Sequence, residues 1–210
     1  AGTAVGTYPA QFAAGTVGTV DATGKYVVSS VTDGTLEIVP LDVTVEITGN
    51  TATNVFDGKA HTVKGYTTTN NNNGLFTEDL ISFTGTATAT LTEVGTKYMG
   101  LAEDQFSNKN PNFANVKFVV TDGWMKIDPL AVEVAIVGNN DTTEYDSNPH
   151  TVEGYVATAD SDLYDTAANI KFTGAATATR TDAGTTYMNL AANQFSNANG
   201  NFTVTFTVTD

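Results

Sequence analysis

The sequence predicts an all-β fold, and three observations predict it. Thr, Val, Ala, Gly and Asn dominate while Leu, Glu, Lys and Arg are scarce, which favours strands and turns over helices. Apolar residues fall on alternate positions in short runs, as at Leu36 and Ile38, at Val43, Val45 and Ile47, and at Val132, Val134 and Ile136. Alternation with period two marks a half-buried strand. The chain also repeats itself: Val43, Gly49, Asp57, His61 and Tyr66 recur as Val132, Gly138, Asp146, His150 and Tyr155, an offset of 132 − 43 = 89.

The repeat organises everything else. Residues 122–136 read DGWMKIDPLAVEVAI and residues 33–47 read DGTLEIVPLDVTVEI. In each, an Asp-Gly turn leads into an alternating run, then a Pro-Leu step, then a second alternating run. Proline cannot donate to a central ladder, so Pro40 and Pro129 belong between strands of different sheets or domains. The expected organisation is residues 1–41 as the C-terminal half of a preceding repeat, 42–130 as a complete repeat, and 131–210 as a second repeat lacking its last strand. A folding unit permuted relative to that frame fits the same repeat. On this frame the chain begins and stops inside repeats, as a fragment of a longer array would.

Within one repeat the elements follow in order. Residues 43–48 alternate and form the first strand. Residues 56–59 hold an Asp-Gly turn, and Asp146-Ser147 keeps turn chemistry where the glycine is lost. A strand over 61–67 precedes the polar loop 67–74; strands over 82–92 and 97–101 follow. Residues 101–106 and 190–195 have room for one helical turn. Asn108 to Asn112 is a turn, and 116–121 and 124–128 are the closing strands. Short strands with regular turn signals suggest Ig-like β-sandwich modules in a linear array.

One set of residues carries a family resemblance. Tyr145-Asp146, then His150-Thr151-Val152-x-Gly154-Tyr155, Ala183-Gly184-Thr185-x-Tyr187 and Asn201-Phe202 form the pattern, with Gly123-x-Met125-x-Ile127-x-Pro129 before it. It resembles the MBG-type (YDG/YGX-motif) Ig-like repeats of bacterial cell-surface adhesins, over nearly the whole chain. Phe56 stands where that pattern has Tyr, and Ser147 where it has Gly. The resemblance implies a secreted, extracellular module at the bacterial cell surface, wall-anchored in its full-length protein. It carries no catalytic residue.

Charge and composition exclude several classes. Nine basic against 23 acidic residues give a net charge of −14, which opposes nucleic acid and anionic membrane surfaces. No apolar run reaches the length of a membrane span, and with no cysteine there is no disulfide or thiol chemistry. No nucleophile-elbow, phosphate-loop or zinc pattern appears, so no catalytic residue and no enzyme activity are expected.

Four features remain as candidates. His61 and His150 recur once per repeat, and a single histidine without a second ligand is better explained by packing. Asp141, Glu144, Asp146, Asp160, Asp162 and Asp165 supply oxygens adequate for calcium, but their counterparts include Ala52, Val55, Asn71 and Asn73. Calcium is therefore the lesser reading, and no cofactor is expected. Thr86, Thr88 and Thr90 alternate with small residues and could display hydroxyls to a glycan; they are also good polar strand formers. Trp124 shares an outer strand face with Lys126 and Asp128, as a module contact or a sugar platform. The function expected is a non-catalytic stalk or spacer whose partners are its neighbouring repeats. The alternative is direct carbohydrate or mucin binding. Residues 34–41 also invite head-to-tail strand exchange between molecules, since an open edge templates pairing.

Overall fold

The computed structural model describes residues 2–13, 15–21, 23–70 and 74–210. Residues 71–73 of the polar loop, with Asn71 and Asn73, lie outside the described residues. The fold is all-β. In chain order the strands are β1 (Gly6–Ala10), β2 (Gly34–Ile38), β3 (Leu41–Gly49), β4 (Thr51–Val55), β5 (His61–Lys64), β6 (Tyr66–Asn70), β7 (Ile81–Phe83), β8 (Thr88–Leu91), β9 (Gly95–Tyr98) and β10 (Phe106–Asn108). They continue as β11 (Phe113–Thr121), β12 (Trp124–Asp128), β13 (Leu130–Gly138), β14 (His150–Glu153), β15 (Tyr155–Ala159), β16 (Ile170–Phe172), β17 (Thr177–Arg180), β18 (Phe195–Asn197) and β19 (Phe202–Thr209). Among the described residues, helix is limited to α1 (Thr166–Asn169) and 3-10 turns at Glu78–Leu80, Glu103–Gln105 and Ala192–Gln194.

Contacts divide the chain into two compact units. The first comprises Ala1–Gly49, Tyr66–Ala87 and Gly100–Asp122; the second comprises Asn50–Gly65, Thr88–Met99 and Gly123–Asp210. The chain passes between them at 49/50, 65/66, 87/88, 99/100 and 122/123. Residues 42–130 thus contribute strands to both units, while residues 131–210 lie wholly in the second.

The first unit is built on β3. Its alternation places Val43, Val45 and Ile47 in the core, each at most 2% exposed. β11 pairs with β3 in parallel, from Val116↔Val43 to Thr121↔Thr48, and β6 pairs with it antiparallel. β7 and β10 form a separate antiparallel pair. An aromatic cluster closes this core: Phe83 stacks on Phe106 at 4.7 Å, and Tyr66 meets both rings edge-on. Such pairs add roughly 0.5–1.5 kcal/mol beyond burial. β1 pairs antiparallel with β2, Gly6 opposite Ile38.

The second unit repeats this arrangement and adds to it. β13 buries Val132, Val134 and Ile136, with β19 parallel on one side and β15 antiparallel on the other. β16 pairs with β18, and Tyr155, Phe172 and Phe195 repeat the aromatic cluster. To these are added the sheet β4-β12-β9 and the pairs β5–β8 and β14–β17. One core runs through all of it, from Phe56, Val63, Ala89, Met125 and Ile127 to Val134, Ile136, Phe195 and Phe202. Phe56 meets Phe202 edge-on, with ring centroids 5.3 Å apart.

The Pro-Leu steps lie inside these units. Pro129 separates β12 from β13, which belong to different sheets, as its missing donor requires. One asparagine fastens the step: the Leu130 N–H donates to the Asn201 carbonyl (3.0 Å), and the Asn201 Oδ1 accepts from Val94 N–H (2.9 Å). The Asn201 amide also donates to the Glu93 carboxylate. The step at Pro40 repeats the pattern through Asn112, whose carbonyl accepts from Leu41 N–H (3.0 Å) and whose Oδ1 accepts from Val5 N–H (2.8 Å).

Two expected strands are broken, each at a glycine. The run 61–67 divides at Gly65, where φ is +85°, and the Asn50 amide donates to the Lys64 carbonyl (2.8 Å) beneath it. Positive φ is strained for a residue with a Cβ, so the strand stops and restarts. Gly154 and Asn139 reproduce this break in the second repeat. The run 82–92 divides near Gly85, where an added Cβ would lie 2.8 Å from the Phe83 ring and the Gln105 side chain. β4 and β10 are strands that the alternation did not signal. The helical turns expected at 101–106 and 190–195 are 3-10 turns.

Candidate functional site: the groove over β14 and β17

The recurring His-Asp pairs are turn structures. Asp57 accepts from Lys59 N–H (3.0 Å) and lies 2.8 Å from His61 Nε2. Asn54 Nδ2 is 2.7 Å from His61 Nδ1. An amide that donates to Nδ1 leaves the proton on Nε2, which then donates to Asp57. Asp146 repeats the arrangement, accepting from Asn148 N–H (2.9 Å) and contacting His150 Nε2 (2.8 Å). Ser147 takes φ +67° where Gly58 takes +72°, so the turn survives the loss of glycine.

These contacts favour the ionised carboxylate. The His61 contact and the Lys59 N–H hold Asp57 below its ordinary value. The Asn148 N–H, then the Asn148 side chain and His150, lower Asp146 from 3.8 to about 2. The folded form thus releases the proton more readily than the unfolded one. Its contribution to stability is complete above the ordinary value of 3.8 and is lost as pH falls toward about 2. A carbon-detected carboxyl titration is expected to place the Asp146 midpoint near 2. In His150→Ala the midpoint rises but stays below the ordinary value, because the Asn148 contacts remain; a wild-type midpoint at the ordinary value contradicts this geometry.

The other candidates occupy ordinary structural places. Asp165 caps α1 through Ala167 and Ala168 N–H, Asp160 accepts from Glu133 N–H, and Asp141 accepts from Thr142 N–H. Asp162 and Glu144 are exposed. Among the described residues, no three His, Cys, Asp or Glu side chains gather as a metal-holding group. Thr88 and Thr90 lie on β8, and the Thr90 hydroxyl is 2.8 Å from that of Thr62 on β5. Thr86 lies outside any strand. Trp124, Lys126 and Asp128 share the outer face of β12, with Lys126 bonded to Asp128 at 2.7 Å, while Met125 and Ile127 are buried beneath. Tyr98, 62% exposed, lies directly opposite Trp124, and directly opposed residues share a face.

A groove of about 440 Å³ lies in the second unit. Val152 and Ala178 are at its floor, residues 140–144 form one wall, and residues 183–186 the other. At the offset of 89 these match known positions. The floor matches Val63 and Ala89 on β5 and β8, and residues 140–144 match β4. Residues 184–187 match β9. In the preceding repeat β12 runs between those two walls, parallel to β4 and antiparallel to β9, and packs on β5 and β8. Its Met125 and Ile127 join Val63 and Ala89 in the core.

Around the groove, both walls lie outside any strand, the second with bends through Asp182–Gly184, and both are exposed. Arg180 supports one of them. Its guanidinium donates to the carbonyls of Asp182 (2.7 Å), Ala183 (3.1 Å) and Thr185 (3.4 Å). Its counterpart in the preceding repeat is Leu91, which needs no such bonds because β9 pairs with β12. Gly184 has φ +139°, and a Cβ there would come within 2.4 Å of Arg180. No single residue type marks this groove; the exchange of Leu91 for Arg180 is one local signal of it. Set against known proteins, the chain matches no family model, no curated protein and no solved structure.

Proposed function

We propose that this chain is a non-catalytic stalk or spacer segment of a bacterial surface adhesin. On this reading its Ig-like β-sandwich repeats project an adhesive region from the cell, outside the cell and wall-anchored in the full-length protein. The observation that carries the reading is the fastening of the Pro-Leu steps. Each lies within a compact unit, its proline exposed, and is held by the same pair of asparagine contacts, through Asn112 and Asn201. Consecutive repeats are then joined by sheet and core, and a flexible tether would place few contacts across such a junction. The engagement of Asp146, Asp160 and Asp165 in turns and caps supports a segment that needs no calcium.

A second reading has its own support. Trp124 and Tyr98 oppose each other on one face of β12 and β9, and adjacent aromatic surfaces are a platform on which sugar rings stack. This would make the module itself a carbohydrate- or mucin-binding unit.

Retention on mucin-coated and glycan-coated surfaces separates the two, with a thermal melt in calcium and in chelator beside it. The spacer reading expects no retention and one melting temperature in both solutions. Retention that Trp124→Ala abolishes overturns it in favour of glycan binding. A melt that rises with calcium and falls with chelator overturns it in favour of a metal-stiffened linker.

A further inference from the structure

We propose that Asn199-Gly200 is a site of spontaneous deamidation, and that conversion there loosens the junction held by Asn201. The pair lies in the turn between β18 and β19. The reaction needs a free main-chain N–H on the following residue, room around it, and a side-chain amide carbon ready for attack. Gly200 is exposed, and its N–H has no hydrogen-bond partner among the described residues. A Cβ built there would meet nothing within 4 Å, and glycine has no side chain of its own to shield the nitrogen. The Asn199 Oδ1 accepts from Asn201 N–H (3.0 Å), a donor placed where attack on the amide carbon develops negative charge. The leaving side is loosely held: Asn199 Nδ2 is 3.4 Å from Asn169 Oδ1.

The preceding repeat contains the same turn without the nucleophile. Asn110 N–H donates to Asn108 Oδ1 (2.8 Å), and Asn110 Oδ1 accepts from Asn112 N–H (3.0 Å). Asn199 repeats both bonds, with Asn197 and Asn201. The residue after Asn110 is Pro111, at the position of Gly200, since 111 + 89 = 200. A proline nitrogen carries no hydrogen and is already fully substituted, so it cannot attack. Gly200 lies outside the left-handed region of φ, and Pro111 shows that the turn accepts a proline there.

The step balances without any oxidant or cofactor. The Gly200 nitrogen gives up its proton and bonds to the Asn199 side-chain carbon; the bond from that carbon to Nδ2 breaks, and ammonia leaves. The product is a five-membered cyclic imide. Water then opens it at one of two bonds. Opening at the side-chain carbon leaves an aspartate, and opening at the main-chain carbon leaves an isoaspartate, whose chain runs through the former side chain.

The site matters because of what it holds. The Asn199 carbonyl accepts from Phe202 N–H (3.2 Å) and from Asn197 Nδ2 (2.6 Å), and its Oδ1 aligns Asn201. Asn201 in turn accepts from Leu130 N–H and Val94 N–H. Isoaspartate inserts a carbon into the chain just before Asn201 and shifts these acceptors. Either product adds a negative charge to a chain already at −14, near the Glu93 that contacts Asn201. The change runs one way, so the junction weakens with the age of the molecule. None of this depends on the stalk reading.

The test incubates the full chain at neutral and at mildly alkaline pH, then maps its peptides by mass and detects isoaspartate by enzymatic methylation. The map reads residue 199 separately from residue 73, which precedes the chain's other Asn-Gly bond. The expected result is replacement of amide by acid at 199, faster at the higher pH, with none at Asn110. Gly200→Pro abolishes it; should that variant not fold, Gly200→Val, which crowds the nitrogen, slows it. Converted protein, separated by its extra charge, is expected to melt lower and to exchange the Leu130 and Val94 amides faster than the starting material. No conversion at 199 in the folded chain, or conversion in denaturant alone, overturns the proposal. So does converted protein whose Leu130 and Val94 amides exchange as before.

Discussion

Phe202→Ala is expected to be the most damaging single truncation, costing about 3–5 kcal/mol. Phe202 is 5% exposed, and its ring takes edge contacts from two directions. Phe56 lies 5.3 Å away and Tyr164 5.1 Å away. Phe56 comes from the first full repeat and Tyr164 from the second, so the ring joins the two parts of one core. Removing it leaves a cavity walled by two rings that are tied in place, Phe56 by its N–H to the Asp128 carbonyl and Tyr164 by its hydroxyl to Asn169 and Asn197, so the site has little freedom to collapse. Denaturant unfolding followed by tyrosine fluorescence measures the loss. A cost below about 1 kcal/mol would show that the cavity closes and that the ring does not join the halves.

Ile127→Ala is expected to cost about 2–5 kcal/mol. The residue is 1% exposed on β12, between β4 and β9, and its neighbours in the core include Met125 and Val134. Lys126→Ala, one position away on the outer face, is expected to cost less than about 1 kcal/mol, because its ion pair with Asp128 is half exposed. A thermal melt of the two variants checks the contrast. Equal losses would mean that β12 does not present one buried and one wet face.

Much of this was legible in the sequence because it was local. Alternation at Val43, Val45 and Ile47 and at Val132, Val134 and Ile136 marked the buried faces of β3 and β13. The turn chemistry of Asp57 and Asp146 announced loops that the structure closes with side-chain to backbone bonds. What was not legible came from partners distant in sequence. β4 reads Thr-Ala-Thr-Asn-Val and lacks an apolar stripe; it is a strand because β12, more than 70 residues later, lies beside it in parallel. β10 spans Phe106–Asn108 and is held as a strand by β7. Gly65 and Gly85 interrupt runs whose composition reads as continuous, one by its positive φ and one by the approach of a ring.

The candidate site followed the same rule. Trp124, the threonines and the acidic residues were conspicuous by residue type, and the structure gives most of them turn, cap or strand-face places. The groove is assembled from unremarkable residues: Val152, Ala178, Thr185 and the polar run 140–144. Its meaning comes from superposing one repeat on the other. A repeat offset contains that information, but only once the position of β12 between β4 and β9 is known.

The compact second unit combines part of one repeat with the next, across the Pro-Leu step. Amide hydrogen exchange in Ile127→Ala tests this. Ile127 belongs by sequence to residues 42–130, together with β3 and β11, but by contact to the unit that holds β13 and β19. The variant is expected to lose protection along β13 and β19 while β3 and β11 keep theirs. Loss along β3 and β11, with β13 and β19 unchanged, would contradict it and restore the repeat itself as the unit of folding.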